Sequence, residues 1–118
     1  MNAGQIEQVL VVLTGPPQLE SQLIDWLMSR DSGLGFSTSA VHGHSTRHDH
    51  LSIAEQVSGW QRRLQFQVQL DRSLLEKFIA ELAEEFTGTD LHYWVLPLLA
   101  GGDLPGDRFQ PEPDSSIA

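Results

Sequence analysis

The segment from Gln61 to Leu70 restricts the fold of this chain more than any other, because its later residues alternate strictly between apolar and polar side chains. The apolar positions are Leu64, Phe66, Val68 and Leu70, and the positions between them are Gln65, Gln67 and Gln69. Successive side chains of a β-strand point to opposite faces, so a period of two predicts a strand with one face in the core.

The rest of the chain divides into five further predicted elements. The run Val9 to Leu13 is apolar throughout, which is typical of a central strand buried on both faces. Helical spacing of apolar residues predicts two helices, the second beginning with a Ser73–Glu76 capping box. The predicted elements besides the Gln61–Leu70 strand are a strand over Ile6 to Leu13, a helix from Pro16-Pro17 to about Arg30, an edge strand over Leu34 to Val41, a helix from Ser73 to about Phe86, and a strand over Leu91 to Leu98.

This order of elements, β-α-β-β-α-β, predicts an α+β domain of the ferredoxin-like type over residues 1–100, with a four-stranded antiparallel sheet and two helices on one face. Residues 101–118 are rich in Gly, Pro, Asp and Ser and are expected to form a flexible tail. In the last strand His92, Trp94 and Leu96 share the face that two helices cannot cover. We expect these residues to lie at a subunit interface in a homo-oligomer.

Composition excludes several classes of function. The 118 residues contain no cysteine, so disulfides, thiolate metal sites and thiol nucleophiles are excluded. A net charge of −9 argues against a general nucleic-acid binder. No apolar run is long enough for a membrane span and the N-terminus lacks a basic signal region, so a cytoplasmic protein without membrane insertion is expected. No catalytic motif is present, which predicts a protein that is not an enzyme.

Four of the five histidines lie within nine residues of the connection between the second and third strands, residues 42–59. A reversal of the chain near Ser45 to Arg47 would place all four on one side of a short hairpin. Imidazole nitrogen binds Zn²⁺, Cu²⁺, Ni²⁺ and Co²⁺, so the predicted metal ligands are His42, His44, His48 and His50. The alternatives are a solvated loop with incidental histidines, and a loop whose charge changes near pH 6.5.

The segment from Phe36 to Leu70 holds three of the seven basic residues of an acidic protein. An alternative function is therefore binding of an anion or a nucleotide by Arg47, Arg62 and Arg63, at a cleft between subunits. A third alternative is a structural oligomer that binds no ligand.

Several short segments together resemble a known family. They are Gly43-His44, Leu51-Ser52-Ile53-Ala54-Glu55-Gln56-Val57-Ser58-Gly59, Gln61-Arg62-Arg63 and Leu91-His92-Tyr93-Trp94-Val95-Leu96-Pro97. Over residues 6 to 100 the chain resembles an uncharacterised proteobacterial family of PII-like proteins. The resemblance implies a homotrimer in which residues 42–59 correspond to the T-loop, the segment through which PII proteins bind ligands and partners.

The resemblance also implies a regulatory role in signal transduction. Members of the family are often encoded near heavy-metal efflux systems, which implies sensing of a transition metal and a membrane-transport or efflux protein as partner. The chain departs from the nitrogen regulatory PII proteins in two places. No lysine lies in Phe86 to Asp90, where those proteins bind nucleotides, and no tyrosine lies between Val41 and Trp60.

Overall fold

The computed structural model describes residues 6–30, 35–44 and 60–104. Within these ranges it contains four strands and two α-helices, each helix preceded by one turn of 3₁₀ helix. The elements are β1 (Gln8–Gly15), a 3₁₀ turn (Pro17–Leu19), α1 (Glu20–Met28), β2 (Phe36–Gly43), β3 (Gln61–Asp71), a second 3₁₀ turn (Arg72–Leu74), α2 (Leu75–Phe86) and β4 (His92–Leu98).

The four strands form one antiparallel sheet in the order β2-β3-β1-β4. The chain is therefore an α+β protein in which β3 lies between β1 and β2, and β1 lies between β3 and β4. The expectation that the second strand lies at a sheet edge is confirmed, although β2 covers Phe36–Gly43 rather than Leu34 to Val41. Its extension by two residues carries His42 into the sheet.

The core lies on one face of the sheet, between the strands and the two helices. Odd-numbered residues of β1 pair with even-numbered residues of β3, so the alternating apolar residues of both strands point to the same side. Helical residues one turn apart cover them. The buried core consists of Val9, Val11, Leu13, Leu23, Leu27, Phe66, Val68, Leu70, Phe78, Leu82 and Phe86.

β1 is a central strand, as predicted, but a single chain buries only one of its two faces. Val9, Val11 and Leu13 are buried, but Leu10 and Val12 are half-buried because they point away from the helices. We call this second side of the sheet the open face. Its apolar residues are Leu10, Val12, Val41, Trp94, Leu96 and Leu98, and beside them lie Gln65, Gln67, Gln69, Ser37 and Ser39.

The ladder of hydrogen bonds explains why β4 accepts a proline. The Gln69 N–H donates to the Gly35 carbonyl oxygen at 3.4 Å, so odd-numbered residues of β3 bond to β2 and even-numbered residues bond to β1. The backbone N–H and C=O groups of Val9 therefore form hydrogen bonds with Leu70. Pro97, which faces Val9 from the other side, loses no ladder bond through its missing N–H.

The start of α2 differs from the predicted capping box. Asp71, not Ser73, caps the 3₁₀ turn, since its Oδ1 accepts hydrogen bonds from the backbone N–H and the hydroxyl of Ser73 at 2.9 and 2.6 Å. Glu76 pairs with Arg72 one helical turn away instead of bonding back to Ser73. Across the described ranges, no helix is both long enough and apolar enough to cross a bilayer.

Candidate functional site

One end of the sheet collects most of the polar residues that the sequence singles out. The end of β2 pairs with the beginning of β3 through Gly43 and Gln61, and the end of β1 pairs with the beginning of β4 through Thr14 and His92. The connection of residues 44–59 therefore leaves the sheet at the same end as the turn between α2 and β4.

On the helix side of this end, His42 stacks on Trp60. Their ring centroids are 4.0 Å apart with an interplanar angle of 23°. His42 is exposed, as is His44, which follows the last residue of β2. Two imidazoles two residues apart thus mark the point where the chain leaves the sheet, and an indole ring lies against the first of them.

Arg62 lies directly opposite His42 in the pairing of β2 with β3. Because Gly35 and Gln69 form a hydrogen-bonded pair, alternation along the ladder makes His42 and Arg62 a non-hydrogen-bonded pair. Side chains approach most closely in such pairs. Within the described ranges Arg30, Arg63 and Arg72 each pair with a carboxylate, whereas Arg62 has no such partner.

Arg63 points to the open face and is 5% exposed. Its Nη1 donates to Asp90 Oδ2 at 2.9 Å and its Nη2 donates to the Asp90 carbonyl oxygen at 3.1 Å. A longer bond runs from Nη1 to Gln61 Oε1 at 3.4 Å. Arg63 thus ties the beginning of β3 to the turn before β4, and its charge is used inside the chain.

The Asp90 carboxylate joins Arg63 to His92, whose Nε2 lies 3.1 Å from Asp90 Oδ1. Partial burial alone would raise the pKa of the Asp90 carboxyl. The hydrogen bonds from Arg63 and His92 outweigh this effect, so the pKa lies below its ordinary value of 3.8. Asp90 is therefore held as a carboxylate between a guanidinium and an imidazole.

The turn that carries Asp90 has an unusual backbone. Gly88 and Asp90 have φ angles of +83° and +63°, in the left-handed region that most residues avoid. The turn is held by Thr87, whose hydroxyl donates to the Ala83 carbonyl oxygen, and by Thr89, whose hydroxyl donates to the Phe86 carbonyl oxygen at 2.5 Å. The bond from Arg63 to the Asp90 carbonyl adds a third restraint.

Beside this turn an open cleft of about 180 Å³ lies between α2 and β4. Its wall is apolar and includes Ile79, Leu82, Phe86 and Tyr93, and Asp90 and His92 lie at its polar margin. The carboxylate at that margin is already bonded to Arg63 and His92.

The structure separates the residues that the sequence grouped together. His42 and His44 are described, whereas His48, His50 and Arg47 lie outside the described residues. Arg62 and Arg63 point to opposite faces of β3, so they do not converge within one chain. His92, Trp94 and Leu96 do share the open face, where Trp94 is 58% and Leu96 46% exposed. Within the described ranges, no three histidine or carboxylate side chains come together as a ready metal site.

Sequence reasoning missed the roles of Trp60, Asp90 and Gly43. A Cβ atom on Gly43 would lie 2.8 Å from Arg63 Cγ, so this glycine leaves space for the arginine stem. The only sequence signal for Asp90 is its place after Thr87-Gly88-Thr89 in a turn before a strand. Nothing in that pattern indicates a partner 27 residues earlier in the chain.

A family model described as "Protein of unknown function (DUF3240)" matches residues 5–105. The chain belongs to this family. A solved structure, a crystal structure of a DUF3240 family protein from Shewanella baltica OS155, is similar to it with a TM-score of 0.68. The sequences are 19% identical, and the match covers 86% of this chain and 100% of the other, so the likeness shows the fold alone. No curated protein matches the chain. The prediction of a family without known function is thus confirmed, while the relationship of DUF3240 to PII proteins stays a prediction.

Proposed function

We propose that this protein is a non-enzymatic, PII-like regulatory protein that binds a transition-metal ion through the histidines of its β2–β3 connection. The observation that carries the proposal is the position of His42 and His44. Both imidazoles are exposed, and they lie two residues apart where the chain leaves β2. Transition metals accept neutral imidazole nitrogen, and His48 and His50 would supply further ligands from the connection.

The order of elements supports a ferredoxin-like fold. Two β-α-β units interlock, since β3 lies between β1 and β2 while β1 lies between β3 and β4. This is the architecture expected of a PII-like protein, in which the long connection after the second strand would serve as the ligand-responsive segment.

The open face supports a homotrimer. Apolar side chains of β1 and β4 lie beside a row of glutamines on β3, and charged side chains point to this face only near its ends, at Arg63 and Asp71. On a chain with a net charge of −9, a face almost without charge is where copies can approach with least repulsion. A second and a third copy would remove Trp94 and Leu96 from water.

Isothermal titration and thermal unfolding with Zn²⁺, Ni²⁺, Cu²⁺ and Co²⁺ test the metal proposal. A metal present at 100 times its dissociation constant is expected to stabilise the folded protein by about 2.7 kcal/mol. The stabilisation should disappear in the His42→Ala/His44→Ala/His48→Ala/His50→Ala variant. His92→Ala is the matched control, because His92 lies on the open face and pairs with Asp90.

Three results would contradict the proposal: the absence of stabilisation by every metal, its persistence in the quadruple variant, or its loss in the His92 control. Stabilisation of the protein by adenine nucleotides but by none of the metals would favour the anion-binding alternative. In that case Arg62→Ala should weaken binding, because Arg62 is the exposed arginine at this end of the described sheet.

A further inference from the structure

The surroundings of His42 contain more information about the bound ion than the histidines alone. Two neighbours define them: the Trp60 ring, stacked at 4.0 Å, and Arg62, directly across the sheet. Building on the proposed function, we infer that the site is selective for a monovalent coinage-metal ion, Cu⁺ or Ag⁺, which contacts the Trp60 ring while bound to His42.

The stacking geometry places a bound metal over the indole. A metal ligated by imidazole lies in the ring plane, about 2.0 Å beyond the nitrogen. The two ring centroids are 4.0 Å apart, so a metal bound to the His42 nitrogen that lies nearer the indole is about 5 Å from the Trp60 centroid, within the range of cation–π interactions. Trp60 therefore acts twice, because it orients the imidazole and also faces the ion.

Arg62 disfavours a doubly charged ion. Coulomb repulsion between the guanidinium and the bound metal scales with the charge of the metal, so it is twice as large for Zn²⁺ as for Ag⁺ at the same position. Among the described residues, Arg62 has no carboxylate partner that would neutralise it. The local field thus selects for low ionic charge.

The type of ligand narrows the choice of ion. His42 and His44 offer imidazole nitrogen, which binds copper and other late transition metals. Among monovalent ions, Cu⁺ and its analogue Ag⁺ accept nitrogen ligands, so they fit a site that disfavours high ionic charge.

The test uses Ag⁺, which needs no reductant, as silver nitrate in chloride-free buffer, and compares it with zinc nitrate. Calorimetry of the full chain should give tighter binding of Ag⁺ than of Zn²⁺, and Ag⁺ should quench tryptophan emission. In Trp60→Leu the quenching should disappear and Ag⁺ affinity should fall about tenfold. Trp94→Leu is the matched control, since Trp94 lies on the open face, and it should retain both effects.

Arg62→Gln supplies an independent test. Removing the guanidinium should raise Zn²⁺ affinity about tenfold and Ag⁺ affinity about threefold, as expected for charges about 6 Å apart in water. His42→Ala should abolish the quenching.

The inference is overturned if Zn²⁺ binds more tightly than Ag⁺, or if Trp60→Leu and Arg62→Gln leave the ratio of the two affinities unchanged. If Zn²⁺ or Ni²⁺ binds through the histidines while Ag⁺ does not, the proposed function stands and this inference fails. If no metal binds, both fail.

Discussion

The stem of Arg63 lies against the backbone of Gly43, so closely that a Cβ atom on the glycine would be 2.8 Å from Arg63 Cγ. The far end of the same arginine is fixed by Asp90. The last residue of β2 and the turn before β4 are therefore linked through one buried side chain.

Gly43→Ala is expected to destabilise the protein. The arginine stem cannot yield without disturbing its bonds to Asp90, and overpacking of this kind typically reduces the free energy of unfolding by about 1–3 kcal/mol. Urea denaturation measures the change. Gly35→Ala is the matched control, because nothing lies within 4 Å of a Cβ there, and its stability should stay within about 0.5 kcal/mol of wild type. Equal effects of the two substitutions would contradict the packing argument.

Arg63 and Arg62 should respond differently to the same substitution. Arg63→Met keeps an apolar stem but removes the bonds to Asp90, and the loss of hydrogen bonds to a charged group should lower the unfolding free energy by about 2 kcal/mol. Arg62→Met, at an exposed position, should change it by less than about 0.5 kcal/mol. The measurement is the midpoint of chemical denaturation, which reports a change in stability when the m-value is unchanged. If Arg63→Met left the unfolding free energy unchanged, the ion pair with Asp90 would not stabilise the fold.

Asp90 should contribute to the loss of unfolding free energy at acidic pH. Its pKa is lowered in the folded state, so the carboxylate form stabilises the fold fully above the ordinary value of 3.8, and this contribution is lost as the pH falls through the folded pKa. Asn also tolerates the left-handed backbone at this position.

The difference in unfolding free energy between wild type and Asp90→Asn should therefore be largest at neutral pH and shrink below about pH 4. Asp71 and Glu76 also have lowered pKa values, through bonds from Ser73 and Arg72 respectively, but both proteins retain them, so the difference isolates Asp90. A difference of equal size at pH 3 and pH 7 would show that Asp90 does not act through its charge.

Leu96→Glu should prevent assembly. It places a charge among the apolar side chains of β1 and β4 on the open face, where three copies would each bury an unpaired carboxylate. Light scattering coupled to size exclusion should give three times the chain mass for wild type and the mass of one chain for the variant. Met28→Glu is the control, since Met28 is 71% exposed on α1 and its substitution should leave the oligomer intact. A wild-type monomer would refute the trimer directly.

The six elements described above could be predicted from the sequence because each follows from local periodicity, although the burial of β1 on only one face of a single chain could not. The alternation around Phe66, the helical spacing around Leu82 and the turn at Gly88 all act over a few residues, where side-chain direction is set by backbone geometry. The boundaries were less accurate, since helix starts depend on competing caps. Before α2 the capping residue is Asp71 rather than the predicted Ser73, because the Asp71 carboxylate accepts hydrogen bonds from both the N–H and the hydroxyl of Ser73.

The relationships within the candidate site depended on contacts between distant segments. The sequence by itself determined an acidic α+β chain with an alternating strand Leu64 to Leu70 and clustered histidines near His42. Only the tertiary structure placed Asp90 against Arg63, set Arg62 opposite His42 and stacked Trp60 on His42. The physical reason is that strand pairing fixes which residues stand opposite one another, and this register forms between segments that local sequence patterns do not connect.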